Sequence, residues 1–364
     1  MRTFLLATAD GVWKADGARC ERVALAGERV TVLASSPEPG VLYASTAGGR
    51  IFKSRDGGNR WDLKFETDPR NRFLSLAVSP HPPHPVYAGT WPADVFRAPD
   101  GEGWERVESF RKTEGSRYWI FPPPPHEPRA TSFAFDPADP ATLYATVEIG
   151  GLMKSVDGGA SWRPMTNDVN RDTHVAVVHP RDPATLYVST GFGSTHRPGV
   201  YRTRDGGATW AYRYRDMYPI YTWRMCIDPV RPEVLHVVAY PYAPGDWHNP
   251  TGTGGMLMRT EDAGETWTPL HKGVHLPTVN YVPKVTPDPE NPGGALLALS
   301  PYLRPSADPK DDLPLKYYNL DGYISPSVDP PSQEGRIVRS GPDGRTWEVL
   351  AKNLPPLLDF LPLD

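Results

Sequence analysis

Apolar and polar residues alternate along this chain in short runs, not at helical spacing. The runs recur in a fixed order. First comes an apolar segment that ends in Pro, as in "VTVLASSPEP", "FLSLAVSPHP", "TSFAFDPADP", "HVAVVHPRDP", "RMCIDPVRP" and "YVPKVTPDP". Next comes "VLYAST", "PVYAGT", "TLYATV", "TLYVST", "VLHVVA" or "ALLALS", and then "GRIFKS", "DVFRA", "GLMKS", "GVYRT", "GMLMRT" or "GRIVRS". A turn and a Trp follow, with a last short run such as "WDLKF", "WERV" or "WEVL". These segments are rich in β-branched and aromatic residues and are bounded by turn residues. The pattern predicts four antiparallel strands, A to D, in each unit.

The turn before the Trp is nearly invariant: "KSRDGGNRW" ends at Trp61, "KSVDGGASW" at Trp162, "RTRDGGATW" at Trp210, "RTEDAGETW" at Trp267 and "RSGPDGRTW" at Trp347. Two worn copies are "FRAPDGEGW", ending at Trp104, and "VWKADGARC", ending at Cys20. Gly supplies the positive φ that a tight C–D turn needs, and the Asp carboxylate accepts nearby backbone N–H groups. Asp56, Asp157, Asp205, Asp262 and Asp343 are therefore read as structural. Cys20 to Trp61 is 41 residues and Trp61 to Trp104 is 43, the length of one propeller blade. The later intervals are longer and carry insertions. Seven C–D units follow only six A segments, so the C-terminal "PPLLDFLPLD" is expected to supply the missing A strand and close the ring, leaving no open edge. The expectation is an all-β fold: a single domain over 1–364, a seven-bladed β-propeller of four-stranded antiparallel blades.

Composition adds exclusions. A net charge of −4 over 364 residues argues against a general nucleic-acid or anionic-membrane binder. The N-terminal "MRTFLLATADGVW" is broken by Asp10 and does not read as a signal peptide; no run reaches the roughly 18 apolar residues of a membrane span. A cytoplasmic location is expected. Cys20 and Cys226 lie in different units and read as free thiols. No HxH, HExxH or CxxC spacing points to a metal, no phosphate-cradling loop or dinucleotide fingerprint is present, and no cofactor is expected.

The repeated Ser/Thr-x-Asp-Gly-Gly-x-Thr/Ser-Trp resembles the Asp box of the BNR-repeat propellers. By these copies the chain resembles soluble bacterial BNR-repeat proteins of the "glycosyl hydrolase" or sialidase-like kind, and more distantly photosystem II assembly factor propellers. The resemblance implies the fold. It leaves the function open, because Asp-box relatives also include xyloglucan hydrolases and sortilin-type receptors. The Arg-Ile-Pro segment usual in sialidases is absent, so classical sialidase activity is not expected. Xyloglucan hydrolases of this kind resemble two propellers around a cleft, and this chain has the length of one.

Propeller geometry puts the A–B and C–D turns on one rim and the B–C and D–A loops on the other. The long insertions fall on the second rim, where function on a rigid scaffold gathers. Arg117, Tyr118, Trp119, Tyr218, Tyr221, Trp223, Tyr242, Trp247, Tyr302, Tyr317 and Tyr318 lie there as a possible aromatic wall for a sugar or other amphipathic ligand. Arg117, Arg129, Arg171, Arg213, Arg215 and Arg224 are candidates for a carboxylate or phosphate. His126, His174, His196, His248 and His275 share the rim, with Asp168 and Asp172. Glu148 ends a B strand and His174 starts the next A strand. The pair reads as general acid–base chemistry, as part of a metal site with a third ligand, or as polar packing. The expected site is Glu148, His174 and Arg224 lining one funnel, with Trp119, Tyr221 and Trp247 above it, and Arg117, Tyr118, His126, Asp172, His248, Tyr302 and Tyr318 as further ligand contacts. The expected function is binding of a polar, carbohydrate-like or anionic ligand, with hydrolase- or lyase-type chemistry. The alternative is a non-catalytic scaffold that binds a protein partner on the same face.

Overall fold

The computed structural model describes residues 2–17, 19–122, 124–165, 168–193, 196–215, 217–218, 220–244, 253–270, 281–300 and 334–363. Their strands form seven four-stranded antiparallel sheets, the blades of a propeller. Blade 4 shows the plan: A is Arg129–Phe135, B is Leu143–Glu148, C is Gly151–Ser155 and D is Arg163–Pro164. Phe135 faces Leu143 at the turn end of the A–B pair, and Arg129 faces Glu148 at the other. The A strands of successive blades pack side by side around the ring. Their apolar faces fill the spaces between sheets. Among the described residues no helix is long and apolar enough to cross a membrane.

The C-terminal run closes the ring as expected. Leu357–Leu363 pairs antiparallel with Thr3–Thr8, Leu6 opposite Phe360, to complete blade 1 with Gly11–Asp16 and Arg19–Ala24. Phe360 is fully buried with Phe4, Leu6, Leu296, Ala298 and Ile337, so the seam between blades 7 and 1 is filled from both chain ends.

Four C–D turns share one hydrogen-bond plan. In the first, Ser54 Oγ donates to Asp56 Oδ1 at 2.9 Å, and the Arg60 N–H donates to the same oxygen at 2.9 Å. Asp157, Asp205 and Asp262 repeat it with Ser155, Thr203 and Thr260. Gly58, at φ +92°, sits where any side chain would be strained, and a Cβ there would lie 2.6 Å from the Leu5 side chain of blade 1. Asp343 departs from the expectation. In "SGPDGRTW" Pro342 occupies the position of the other aspartates, and Asp343, one residue later, accepts from the Arg345 N–H instead. Asp100, in "APDGEGW", makes the same variant turn with the N–H groups of Glu102 and Gly103.

Candidate functional site

The loop-rich mouth of the channel is built from equivalent positions. Eight residues before the prolines that close the A segments (Pro37, Pro80, Pro137, Pro180, Pro229 and Pro289) stand Arg29, Arg72, Arg129, Asp172, Tyr221 and Tyr281. Just inside, six A strands carry a register shift against their B strands. The shifts step over Thr31, Leu74, Thr131, His174, the pair Trp223–Arg224 and, in blade 1, Leu358. A bulge re-aims the side chain it leaves unpaired. All of these except His174 line a cavity of about 110 Å³, together with Arg29, Arg72, Arg129, Glu148 and Tyr281.

The cavity has a basic side. Arg129 and Arg72 lie on Trp91, with guanidinium carbons 4.3 and 5.1 Å from its ring centroid. Arg129 also covers Phe121 at 3.8 Å. Such faces hold a guanidinium without removing its charge. Burial, and then the positive charge of Arg72, push the Arg29 pKa down. Arg224 rests on Trp223 and donates Nε to the Pro283 carbonyl at 2.9 Å. Glu148 stands opposite Arg129 in the ladder, and Arg129 Nη1 lies 3.4 Å from its Oε2.

Behind Glu148 lies a buried cluster drawn from blades 4, 5 and 6. His174 Nδ1 is 2.6 Å from the Thr222 carbonyl, so Nδ1 carries a proton and donates it. Nε2 faces Asp172 Oδ1 at 3.3 Å, Glu148 Oε1 at 3.6 Å and Tyr221 Oη at 3.1 Å. Glu148 and His174 are each 1 % exposed and Asp172 4 %. Burial works against the imidazolium, but Asp172 and Glu148 outweigh it and push His174 up to about 9. Burial alone would raise Glu148; Arg129 and His174 reverse this and hold it low. For Asp172 burial wins, against His174, and its pKa is raised. Gly191 lets the cluster close: a Cβ there would lie 2.4 Å from Asp172 Oδ2 and 2.7 Å from His174 Cε1.

The structure thus brings Glu148, Asp172 and His174 together and places Glu148 and Arg224 on one cavity. His174 is sealed behind Glu148. Two expected stacking faces are spent elsewhere. Trp119 is buried against Phe110 under the 110–122 loop, and Tyr221 is buried with its hydroxyl on His174. Tyr118 is 59 % exposed beneath the Arg117 guanidinium, while His126 is exposed and bonds the Phe121 carbonyl. Arg213 is paired with Glu265, which removes it from the anion candidates. Asp168, His196 and Arg215 line a separate, open hollow of about 710 Å³ on blade 5. It is larger than the channel cavity, but its Tyr201 and Tyr212 hydroxyls are engaged by the Arg197 and Pro198 carbonyls. The convergence of charge makes the channel mouth the stronger site. Trp247, His248, His275, Tyr302, Tyr317 and Tyr318 lie outside the described residues. Arg29 and Arg72 were not singled out by motif; their signal was the fixed offset from the A-segment proline.

No family model matches the chain. A probable oligoxyloglucan-reducing end-specific xyloglucanase of Neosartorya fischeri is 26 % identical over 153 residues, 38 % of this chain and 17 % of that protein. A xyloglucanase of Paenibacillus sp. is 25 % identical over 219 residues, 49 % of this chain and 20 % of that protein. Among solved structures, the GH74 xyloglucanase of Xanthomonas campestris superposes with a TM-score of 0.63 at 17 % identity, over 85 % of this chain and 51 % of that one. The Niastella koreensis GH74 enzyme gives 0.60 at 19 % identity, over 81 % and 49 %. These likenesses show a shared propeller. The chain spans a fifth or less of the curated relatives' length and about half of the two solved chains.

Proposed function

We propose that the channel mouth binds an acidic saccharide and that the protein acts on its glycosidic linkage. One observation carries the reading: Arg29, Arg72 and Arg129, at the same position of three successive blades, line one cavity with Arg224. Guanidinium groups gathered on one cavity favour an anion, and their planar donors suit a carboxylate. A volume of about 110 Å³ suits an anionic substituent, well below the roughly 300 Å³ at which a pocket encloses a whole small ligand. The sugar ring then sits above, in the mouth. Likeness to xyloglucanases supports a carbohydrate ligand; the arginines favour a uronate-bearing one over a neutral glucan. Glu148 is the carboxylate on the cavity wall and the group assigned to proton exchange with the substrate, with His174 orienting it from behind. Converging charges in a recess favour this over a flat protein-docking rim.

The test is calorimetric titration with uronate-containing oligosaccharides beside neutral xyloglucan oligosaccharides, followed by a reducing-end assay. Acidic ligands should bind with affinity that falls as salt rises. Arg72→Ala and Arg224→Ala should each weaken binding by about tenfold or more, the worth of a charge-assisted hydrogen bond. Equal binding of neutral ligands, or affinity indifferent to both substitutions, would refute the acidic-ligand reading.

A further inference from the structure

The buried cluster behind Glu148 sets a problem of acceptors. Glu148 Oε1 and Asp172 Oδ1 are both inaccessible, and among the described residues neither accepts a hydrogen bond of good geometry. Both face His174 Nε2. A buried carboxylate oxygen left without a donor is costly, so something positive belongs between these atoms. A proton on Nε2, which both carboxylates favour by charge, meets neither of these oxygens at close range. Charge-assisted N–H···O bonds run at about 2.7–2.9 Å, and the two oxygens stand at 3.3 and 3.6 Å. These separations match something else. Four ligands set tetrahedrally at about 2.0–2.2 Å from a metal lie about 3.3–3.6 Å from each other.

The rest of the arrangement fits the same occupant. A metal-ligating imidazole usually donates its second ring N–H to a carbonyl or carboxylate, which fixes the tautomer; His174 Nδ1 does this to Thr222 at 2.6 Å. Tyr221 Oη stands 3.1 Å from Nε2 as a further oxygen. The Phe192 backbone N–H steadies the Asp172 carboxylate. The three ligand atoms lie within 4.8 Å of one another. Two carboxylates offset a divalent charge, and Arg129 stays on the other oxygen of Glu148.

We propose that Glu148 Oε1, Asp172 Oδ1 and His174 Nε2 bind one divalent transition-metal ion of the zinc type, with Tyr221 Oη beside it. One imidazole nitrogen with carboxylate oxygens suits such an ion. The site is closed to solvent, so the ion is structural. It fastens the ends of blades 4, 5 and 6 at the mouth and turns Glu148 so that Oε2 stays toward Arg129 and the channel. The ion proposal does not rest on the acidic-saccharide reading; the two share Glu148, whose Oε1 goes to the ion and whose Oε2 alone is left for the channel.

The experiment uses the full chain, stripped with EDTA and dialysed against Zn²⁺, Mn²⁺ or Co²⁺, with metal content by mass spectrometry and thermal melting as readouts. One ion per chain is expected. At about a hundredfold excess over Kd the Tm should rise by roughly 3–5 °C. The Co²⁺ form should show visible absorption of a low-coordinate site that Zn²⁺ bleaches. Asp172→Asn and His174→Gln should each weaken ion binding by about tenfold or more, on the order expected for loss of a metal contact. Arg224→Ala should leave ion binding unchanged. Should either ligand variant fail to fold, the wild-type Co²⁺ spectrum and stoichiometry still decide. No retained ion together with no change in Tm overturns the proposal, as does full binding in folded Asp172→Asn. Ion binding without acidic-saccharide binding refutes only the saccharide reading, and the reverse result refutes only the ion.

Discussion

Replacing Phe360 by Ala tests whether the C-terminal strand holds the ring shut in solution. Phe360 is 0 % exposed, sits opposite Leu6 in the closing ladder, and meets Phe4 edge-on with centroids 6.1 Å apart. Truncating a buried Phe costs about 3–5 kcal/mol through lost transfer energy and the cavity left behind. The edge contact with Phe4 adds roughly 0.5–1.5 kcal/mol, so the upper half of that range is expected. An unfolding entropy of about 2.1 cal/mol/K per residue scales to about 0.76 kcal/mol/K for this chain, so a loss of ~4 kcal/mol lowers the Tm by ~5 °C. Val349→Ala is the control. Val349 is 52 % exposed on Trp347–Leu354 of blade 7, and its loss should stay within about 0.5 kcal/mol. Denaturant and thermal unfolding of both variants provide the comparison. A Phe360→Ala protein no less stable than Val349→Ala would mean that the strand is not docked in solution, and the closure argument would fail.

Two further outcomes concern the C–D turns. The Arg60 N–H lowers Asp56 and the Thr209 hydroxyl lowers Asp205; for Asp157 and Asp262 burial acts upward but is outweighed by bonds from Ser161 and Thr266. A carboxyl depressed on folding stabilises above its unfolded pKa of about 3.9 and loses that contribution as pH falls through the folded value. Thermal stability should therefore decline below about pH 4, and Asp205→Asn should decline less steeply; identical acid profiles would show that the turn carboxylates do not matter. Ala263 holds φ 59° where the equivalent residues are Gly57, Gly158 and Gly206. Ala263→Gly should relieve that strain and add about 0.5–1 kcal/mol, and a lower Tm for the variant would refute this.

The blades were legible because each level of the sequence repeats them. Period-two runs, Pro stops and Asp-Gly turns all mark the same strand ends, and "PPLLDFLPLD" was the only apolar run left for the missing A strand. The site was legible in part. Glu148 and His174 could be paired because strand ends of adjacent blades must converge. That His174 would lie behind Glu148 depends on a bulge, and a bulge has no sequence signature here. Trp119 shows the limit of composition: an aromatic in a long loop packs the loop as readily as it faces a ligand, and Phe110 decides which. The cluster of Glu148, Asp172 and His174 escaped motif spacing because its members come from a strand end of blade 4 and the start of blade 5 and meet only when those blades are set side by side.

A blade assembled from strands so far apart in sequence also sets an order in time. Thr3–Thr8 leaves the ribosome about 350 residues before its partner Leu357–Leu363. At about 5–20 residues per second, that strand waits on the order of 20–70 s with one edge bare. Six blades can condense during that interval, but the seam cannot. A chain that stalls or is cleaved before Leu357 retains almost all of its core and still presents an open strand to its neighbours. For this propeller the hazardous species is a nascent chain whose first blade still lacks Leu357–Leu363, and a chaperone guarding it would need to cover one strand edge for up to about a minute.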